Sequence, residues 1–164
     1  MEREVIAFTK VALPYGWLGN MSPYPIKWEG KTWRTSEALF QALRFSDEEI
    51  REKIREQKSP MAAKMVAKPF KDSRLIEPLS ADDIHNMFTC ILLKVEQHPE
   101  LKEKLLETGD LLIVEDVTSR GARGTNLLWG AMLKDGEWQG QNILGKIWME
   151  IRKNLKDEAL LCSM

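Results

Sequence analysis

The chain has 164 residues, 43% of them hydrophobic and 30% charged, with a net charge of −1. That length suits one domain with a real apolar core, and the balanced charge excludes a general grip on nucleic-acid backbones, leaving room only for a local basic cleft. Two cysteines, Cys90 and Cys162, and two histidines, His85 and His98, lie in no metal-ligand spacing, so neither a metal nor a cofactor is expected and a reducing, cytoplasmic setting fits.

Met1–Lys10 has no apolar signal core and no run approaches a membrane span, so neither a secretory leader nor membrane contact is expected. Val5–Thr9 reads as a short strand. Leu13–Ile26, rich in Pro, Gly and aromatics, reads as a loop of fixed turns. Ile26–Trp33 is a tight hairpin bending at Glu29-Gly30, and Thr35 or Ser36 caps a helix starting near Glu37. Asp47–Gln57 is a charged surface helix with Ile50 and Ile54 inward, and Pro60 opens the next helix. Ser80 caps the longest helix, whose buried face is Ile84, Met87, Phe88, Ile91, Leu92 and Val95. Another helix follows and ends at Gly109; Leu111–Asp116 is the clearest buried strand. Thr118–Gly130 is a glycine-punctuated loop. Asn142–Leu155 is the closing helix, with Ile143, Leu144, Ile147 and Ile151 toward the core and Gly145 allowing close packing. The expected fold is a single α+β domain over residues 1–164, mostly helices around a small β-sheet built from the N-terminal strands and Leu111–Asp116.

The first helix raises the functional question. Its polar residues Glu37, Gln41 and Arg44 fall at about 0°, 40° and −20° around the axis, one narrow stripe. A solvated helix face explains such a stripe. A pocket-lining helix explains it too, and accounts for the apolar residues that fill the rest of the circumference. A core helix must turn its polar line toward a cavity, because unpaired buried charge is costly. Trp28 and Trp33 crowd the turn before it, where a carboxylate at a helix start can be held and tuned.

Two loops could complete a pocket. Asn20 sits on a Gly-preceded turn near Trp17 and Tyr24. In the later loop, Gly121 and Gly124 permit close backbone approach, Arg120 and Arg123 can pair with phosphate, and Trp129 can stack on a base or sugar. Ordinary turns, a solvated basic loop and core packing of Trp129 explain the same residues. Asn142 at a helix start would by default be a cap. The glycine spacing is not that of a phosphate-binding Walker loop, and no hydrolytic triad or Gly-x-Ser-x-Gly elbow is present. Catalysis, if any, should rest on a carboxylate and neutral polar groups.

Four blocks, "LGNMSPYPI", "GKTWRTSEALFQALRF", "TNLLWG" and "GQNILGKIWMEIR", stand in order between Leu18 and Arg152, and together they resemble the NADAR (YbiA-like) family. The resemblance implies an N-glycosidase acting on ribose attached through nitrogen. Removal of ADP-ribose from guanine bases in DNA or RNA, as antitoxin to a DNA ADP-ribosyltransferase, is the activity expected first. Hydrolysis of phosphoribosylamino-pyrimidine intermediates of riboflavin synthesis is the alternative, and a non-catalytic ADP-ribose- or nucleotide-binding module is the alternative outside catalysis. The implied partners are ADP-ribosylated nucleic acid, in local contact, and a cognate transferase toxin.

The family's catalytic glutamate falls on Glu37, its glutamine on Gln41, its loop asparagine on Asn20, its tryptophan on Trp129 and its late asparagine on Asn142. Three positions depart from the pattern: Ala38 replaces a histidine, Arg44 a lysine and Asn126 an aspartate. An arginine forms no imine with an opened sugar, and the second acid is absent from its expected place. The departures point to a divergent branch with a different ligand. In the resulting scheme Glu37 is base and electrostatic stabiliser. Gln41 and Asn126 hold sugar hydroxyls or water, Arg44, Arg120 or Arg123 meet phosphate, Trp129 stacks, and Asn20, Trp33 and Asn142 complete the substrate contacts.

Overall fold

The structure, a computed structural model, describes residues 4–164, so the first three residues of the Met1–Lys10 segment lie outside the described part. In chain order the elements are β1 (Val5–Phe8), a 3-10 turn (Gly16–Leu18), β2 (Ile26–Trp28), β3 (Lys31–Trp33), α1 (Ser36–Leu43), α2 (Glu48–Arg55) and α3 (Pro60–Ala67). A second 3-10 segment (Lys68–Ser73), α4 (Ala81–Gln97), α5 (Pro99–Glu107), β4 (Leu112–Glu115), α6 (Asn126–Trp129), β5 (Met132–Lys134), β6 (Glu137–Gln139) and α7 (Ile143–Ser163) follow. The fold is α+β and mostly helical, as expected. By internal contacts the chain forms two units, Asn20–Pro99 and the two chain ends on either side of it.

In the Asn20–Pro99 unit, α1 packs against α2, α3 and α4. Ala38, Leu39, Phe40 and Ala42 are all buried, so α1 is apolar around most of its girth. Side-chain caps start the helices where the sequence places them: Thr35 accepts from Ala38 N–H, Asp47 caps α2, Ser59 caps α3 and Ser80 caps α4. The β2–β3 hairpin turns at Glu29 (φ 47°) and Gly30 (φ 77°), a pair of left-handed residues that suits the strand twist.

The buried face of α4 differs from expectation. It is Asp83, Met87, Cys90, Ile91, Lys94 and Val95, while Ile84, Phe88 and Leu92 are half-buried. Apolar periodicity alone misplaces a face that carries two buried charges.

In the other unit, β1 and β4 pair in parallel (Val5 opposite Leu112), and a bridge between Asp116 and Ala131 extends the ladder. The face of α7 that packs on β4 buries Leu144, Ile147, Trp148 and Ile151. The Trp148 indole meets Trp17 edge to face at 5.7 Å and donates to the Leu18 carbonyl at 3.0 Å.

Three corrections follow. The N-terminal strands do not form one sheet: β1 joins β4, β2–β3 stands alone, and β5–β6 is a third two-stranded sheet. That last hairpin bends at Asp135 (φ 52°) and Gly136 (φ 79°), an Asp-Gly turn signal absent from the sequence reading. The longest helix is α7, at 21 residues against 17 for α4; it continues past Leu155 because no Gly or Pro stops it. Among the described residues no helix is long and apolar enough to cross a membrane.

Candidate active site

The start of α1 is tied down by Asn20. Its carbonyl accepts from the Glu37 N–H at 3.0 Å and from the Ser36 hydroxyl at 3.1 Å. Its side-chain oxygen accepts from the same hydroxyl at 3.1 Å, and its amide nitrogen donates to the Met87 sulfur at 3.3 Å. With both ends of its amide engaged, Asn20 is a positioning residue. Its contacts fix the helix start.

Glu37 is buried, at 8% exposure, as is Gln41 at 7%. The Gln41 amide donates to Glu37 Oε1 at 3.0 Å. Among the described residues no cation pairs with Glu37, and no donor meets its second oxygen. A buried carboxylate held by one neutral amide leaves its second oxygen open to a ligand, which a salt bridge would occupy. Cys90, beneath it, is not a competing nucleophile. Burial, then the fields of Glu37 and Asp83, push its thiol pKa far up.

Arg44, the third member of the stripe, is committed elsewhere. Its Nε and Nη2 donate to the two carboxylate oxygens of Asp83 at 2.8 and 2.9 Å, and its guanidinium lies 4.5 Å from the centre of the Phe40 ring. Asp83 is fully buried and also accepts from the Leu79 N–H at 2.8 Å. The expected free phosphate-binding arginine is thus largely neutralised; among the described residues its Nη1 hydrogens and the second Nη2 hydrogen remain uncommitted. Asp83 escaped sequence reading because an acid in the first turn behind a capping Ser80 reads as a solvated dipole partner.

Trp33, expected among the substrate contacts, is 2% exposed and packs in the core, where its indole N–H meets no acceptor among the described residues. Lys94 was missed. It is fully buried, donates to the Ser22 hydroxyl at 2.8 Å and lies 5.4 Å from the Tyr24 ring centre. Burial lowers its pKa to about 7. No sequence signal distinguishes it from an exposed lysine.

A cavity of about 130 Å³ opens beside Gln41 and Arg44, lined also by Phe45, Lys64, Ala67, Lys68 and Arg74. It begins one helical turn from Glu37 on the same stripe.

The other unit holds the remaining expected residues. Asn142 is not a side-chain cap: it sits at φ 51°, ψ 45° and makes no capping bond. Its amide nitrogen donates to the Ile113 carbonyl at 2.8 Å and its oxygen accepts from the Glu115 N–H at 3.0 Å, clamping β4 to the start of α7. Gly145 is required there, since a Cβ would strike the Ile113 carbonyl and the Asn142 amide. Asn126 donates to the Gly121 carbonyl at 3.0 Å, closing the loop on itself. Arg120 pairs with Glu115 at 3.5 Å. Arg123 is exposed and Trp129 half-buried. Gly121 (φ 73°) and Gly124 (φ 58°) take left-handed turns with open space where a Cβ would be. Among the described residues no three His, Cys, Asp or Glu side chains cluster as metal ligands.

Residues 7–156 match the model of the NADAR domain. The chain belongs to the NADAR family. N-glycosidase YbiA of Escherichia coli is 35% identical over 158 residues, covering 96% of this chain and 92% of that protein. The NMR structure of E. coli YbiA superposes with a TM-score of 0.80, covering 98% of this chain and 89% of that one. An N-glycosidase of Nostoc punctiforme is 30% identical over 93% of both chains. A riboflavin biosynthesis protein of Vibrio vulnificus is 28% identical, covering 88% of this chain and 37% of its own length.

Proposed function

We propose that this protein is an N-glycosidase that hydrolyses a ribosyl C1–N bond, and that its substrate is ADP-ribose joined to a guanine base in DNA or RNA. The observation that carries the reading is Glu37, a carboxylate buried on a core helix, steadied by one neutral amide and paired with no cation among the described residues. Cleavage passes through a cation-like sugar, which such a carboxylate stabilises at short range. Glu37 takes a proton from the attacking water as its oxygen bonds to C1. The C1–N electron pair leaves with the base, which collects a proton from solvent. The exocyclic nitrogen of guanine, delocalised into its ring, tolerates departure without a dedicated acid.

Membership of a family with named N-glycosidases supports the reaction type. Replacement of the family's lysine by an arginine locked to Asp83 supports a divergent ligand. The proposed setting is the reducing cytoplasm, with an ADP-ribosyltransferase as functional partner. A second reading, a phosphoribosylamino-pyrimidine of riboflavin synthesis as substrate, is favoured by the name of the Vibrio relative.

The deciding experiment offers an ADP-ribosylated guanine oligonucleotide, a phosphoribosylamino-pyrimidine and free ADP-ribose, with products read by mass. Release from the oligonucleotide alone supports the first reading. Release from the pyrimidine alone overturns it in favour of the second. Binding without release anywhere leaves a binding module.

A further inference from the structure

The cavity beside Gln41 and Arg44 has a charge that the glycosidase chemistry does not use. Four of its lining residues are cations: Arg44, Lys64, Lys68 and Arg74. Asp83 neutralises Arg44. Among the described residues no carboxylate lies within ion-pair distance of the other three. Lys64 and Lys68 stand four residues apart at the end of α3 and the start of the 3-10 segment, a spacing at which like charges repel. Arg74 is held in place by a bond from its Nε to the Lys71 carbonyl at 3.1 Å. The strand of chain just after it is pinned to α1, since the Arg44 carbonyl accepts from Leu75 N–H at 2.8 Å and Ile76 N–H at 3.3 Å. Backbone contacts therefore hold this wall in place, and three cations without an ion-pair partner among the described residues line a space too small for a whole nucleotide, whose pockets run from about 300 Å³.

We propose that this cavity is a phosphate subsite, in which Lys64, Lys68 and Arg74 bind the phosphate carried on C5′ of the substrate ribose. The proposal rests on the N-glycosidase reading of Glu37. Gln41 lines the cavity and also holds Glu37, so the anion end and the carboxylate lie four residues apart on one stripe, about 6 Å along the axis. That separation lets one ribose present its C1 to Glu37 and its C5′ substituent to the cations. Lysine and arginine suit the demand: point charges and a planar fork around tetrahedral oxygens, with the Arg44–Asp83 pair as a rigid floor. The same chemistry serves a terminal phosphate monoester or the first phosphate of a pyrophosphate.

The test begins with binding, which needs no turnover. Thermal unfolding is followed in millimolar inorganic phosphate, ribose 5-phosphate or inorganic pyrophosphate, at ionic strength matched with chloride. The proteins are the parent, Lys64→Ala/Lys68→Ala, and Lys58→Ala as a control for loss of charge outside the cavity. At about ten times Kd the parent and the control rise by about 2–4 °C, and the double variant does not. No rise in the parent, or equal rises in parent and double variant, overturns the proposal. Lys64 and Lys68 are exposed, so folding is not at risk; Lys64→Gln/Lys68→Gln repeats the comparison with the aliphatic stems kept. Preference for ribose 5-phosphate over pyrophosphate identifies a monoester source, and the reverse a pyrophosphate. In turnover, the double variant raises KM tenfold or more for the phosphorylated substrate, with a smaller effect on its dephosphorylated counterpart. Equal effects on both overturn the proposal. A parent that binds phosphate through these lysines yet cleaves nothing in the substrate panel sinks the glycosidase reading while leaving the subsite in place.

Discussion

The α1 stripe and the Thr118–Gly130 loop both carry polar residues expected to meet a ligand, and the structure treats them in opposite ways. On α1, Glu37 and Gln41 are buried, one hydrogen bond of 3.0 Å joins them, and the Glu37 N–H is fastened to the Asn20 carbonyl. In the loop, Arg120 and Arg123 are exposed, and Arg120 makes a long ion pair to Glu115. A side chain held in a low-dielectric setting must either be satisfied or be used, whereas an exposed arginine costs nothing to leave idle. Burial with incomplete pairing is the stronger functional signal.

The sharpest way to break the contrast is Glu37→Gln. Turnover should fall by about 10³-fold or more, about 4 kcal/mol, with a native circular dichroism spectrum and ligand binding kept. Activity within tenfold of the parent removes Glu37 from the chemistry. Next in size is the buried ion pair. Asp83→Ala should cost about 3–5 kcal/mol in urea unfolding, because it strands the Arg44 charge and the Leu79 N–H. A loss below about 1 kcal/mol would show the pair to be solvated.

Smaller again is a pH effect from Lys94. Its folded pKa is depressed, to about 7, against 10.5 for the ordinary group. Between those values the unfolded chain holds more proton, so stability rises with pH. The gain from pH 7 to 9 should be about 2 kcal/mol, and Lys94→Met should flatten that rise. A slope that survives the substitution belongs to other groups. The smallest effect lies in the loop. Arg120→Ala should change stability by no more than about 0.5 kcal/mol, as befits a half-exposed pair.

Much of this was legible in the sequence. Local chemistry marked the elements whose signals are local: the Glu29-Gly30 bend, the caps at Thr35 and Ser80, and the helical stripe of Glu37, Gln41 and Arg44. Gly145 was read correctly as a close-packing position. What escaped was set by partners distant in the chain. Asp83 and Lys94 look like ordinary surface charges of an amphipathic helix until Arg44 and Ser22 are brought to them. Asn142 looks like a cap until β4 lies alongside it. Trp33 looks like a pocket wall until the core closes over it. The β5–β6 hairpin is a different case, since its Asp135-Gly136 turn is a local signal carried in the chain itself.

Arg44 has a consequence for how this site can change. Its fork occupies both oxygens of Asp83 while its carbonyl secures the Leu75–Ile76 segment. A lysine, bringing one point charge on a flexible stem, cannot replace two parallel bonds to a buried carboxylate. Arg44→Lys therefore demands a simultaneous change at Asp83. Each residue thereby constrains substitution of the other, since changing either alone strands a buried charge.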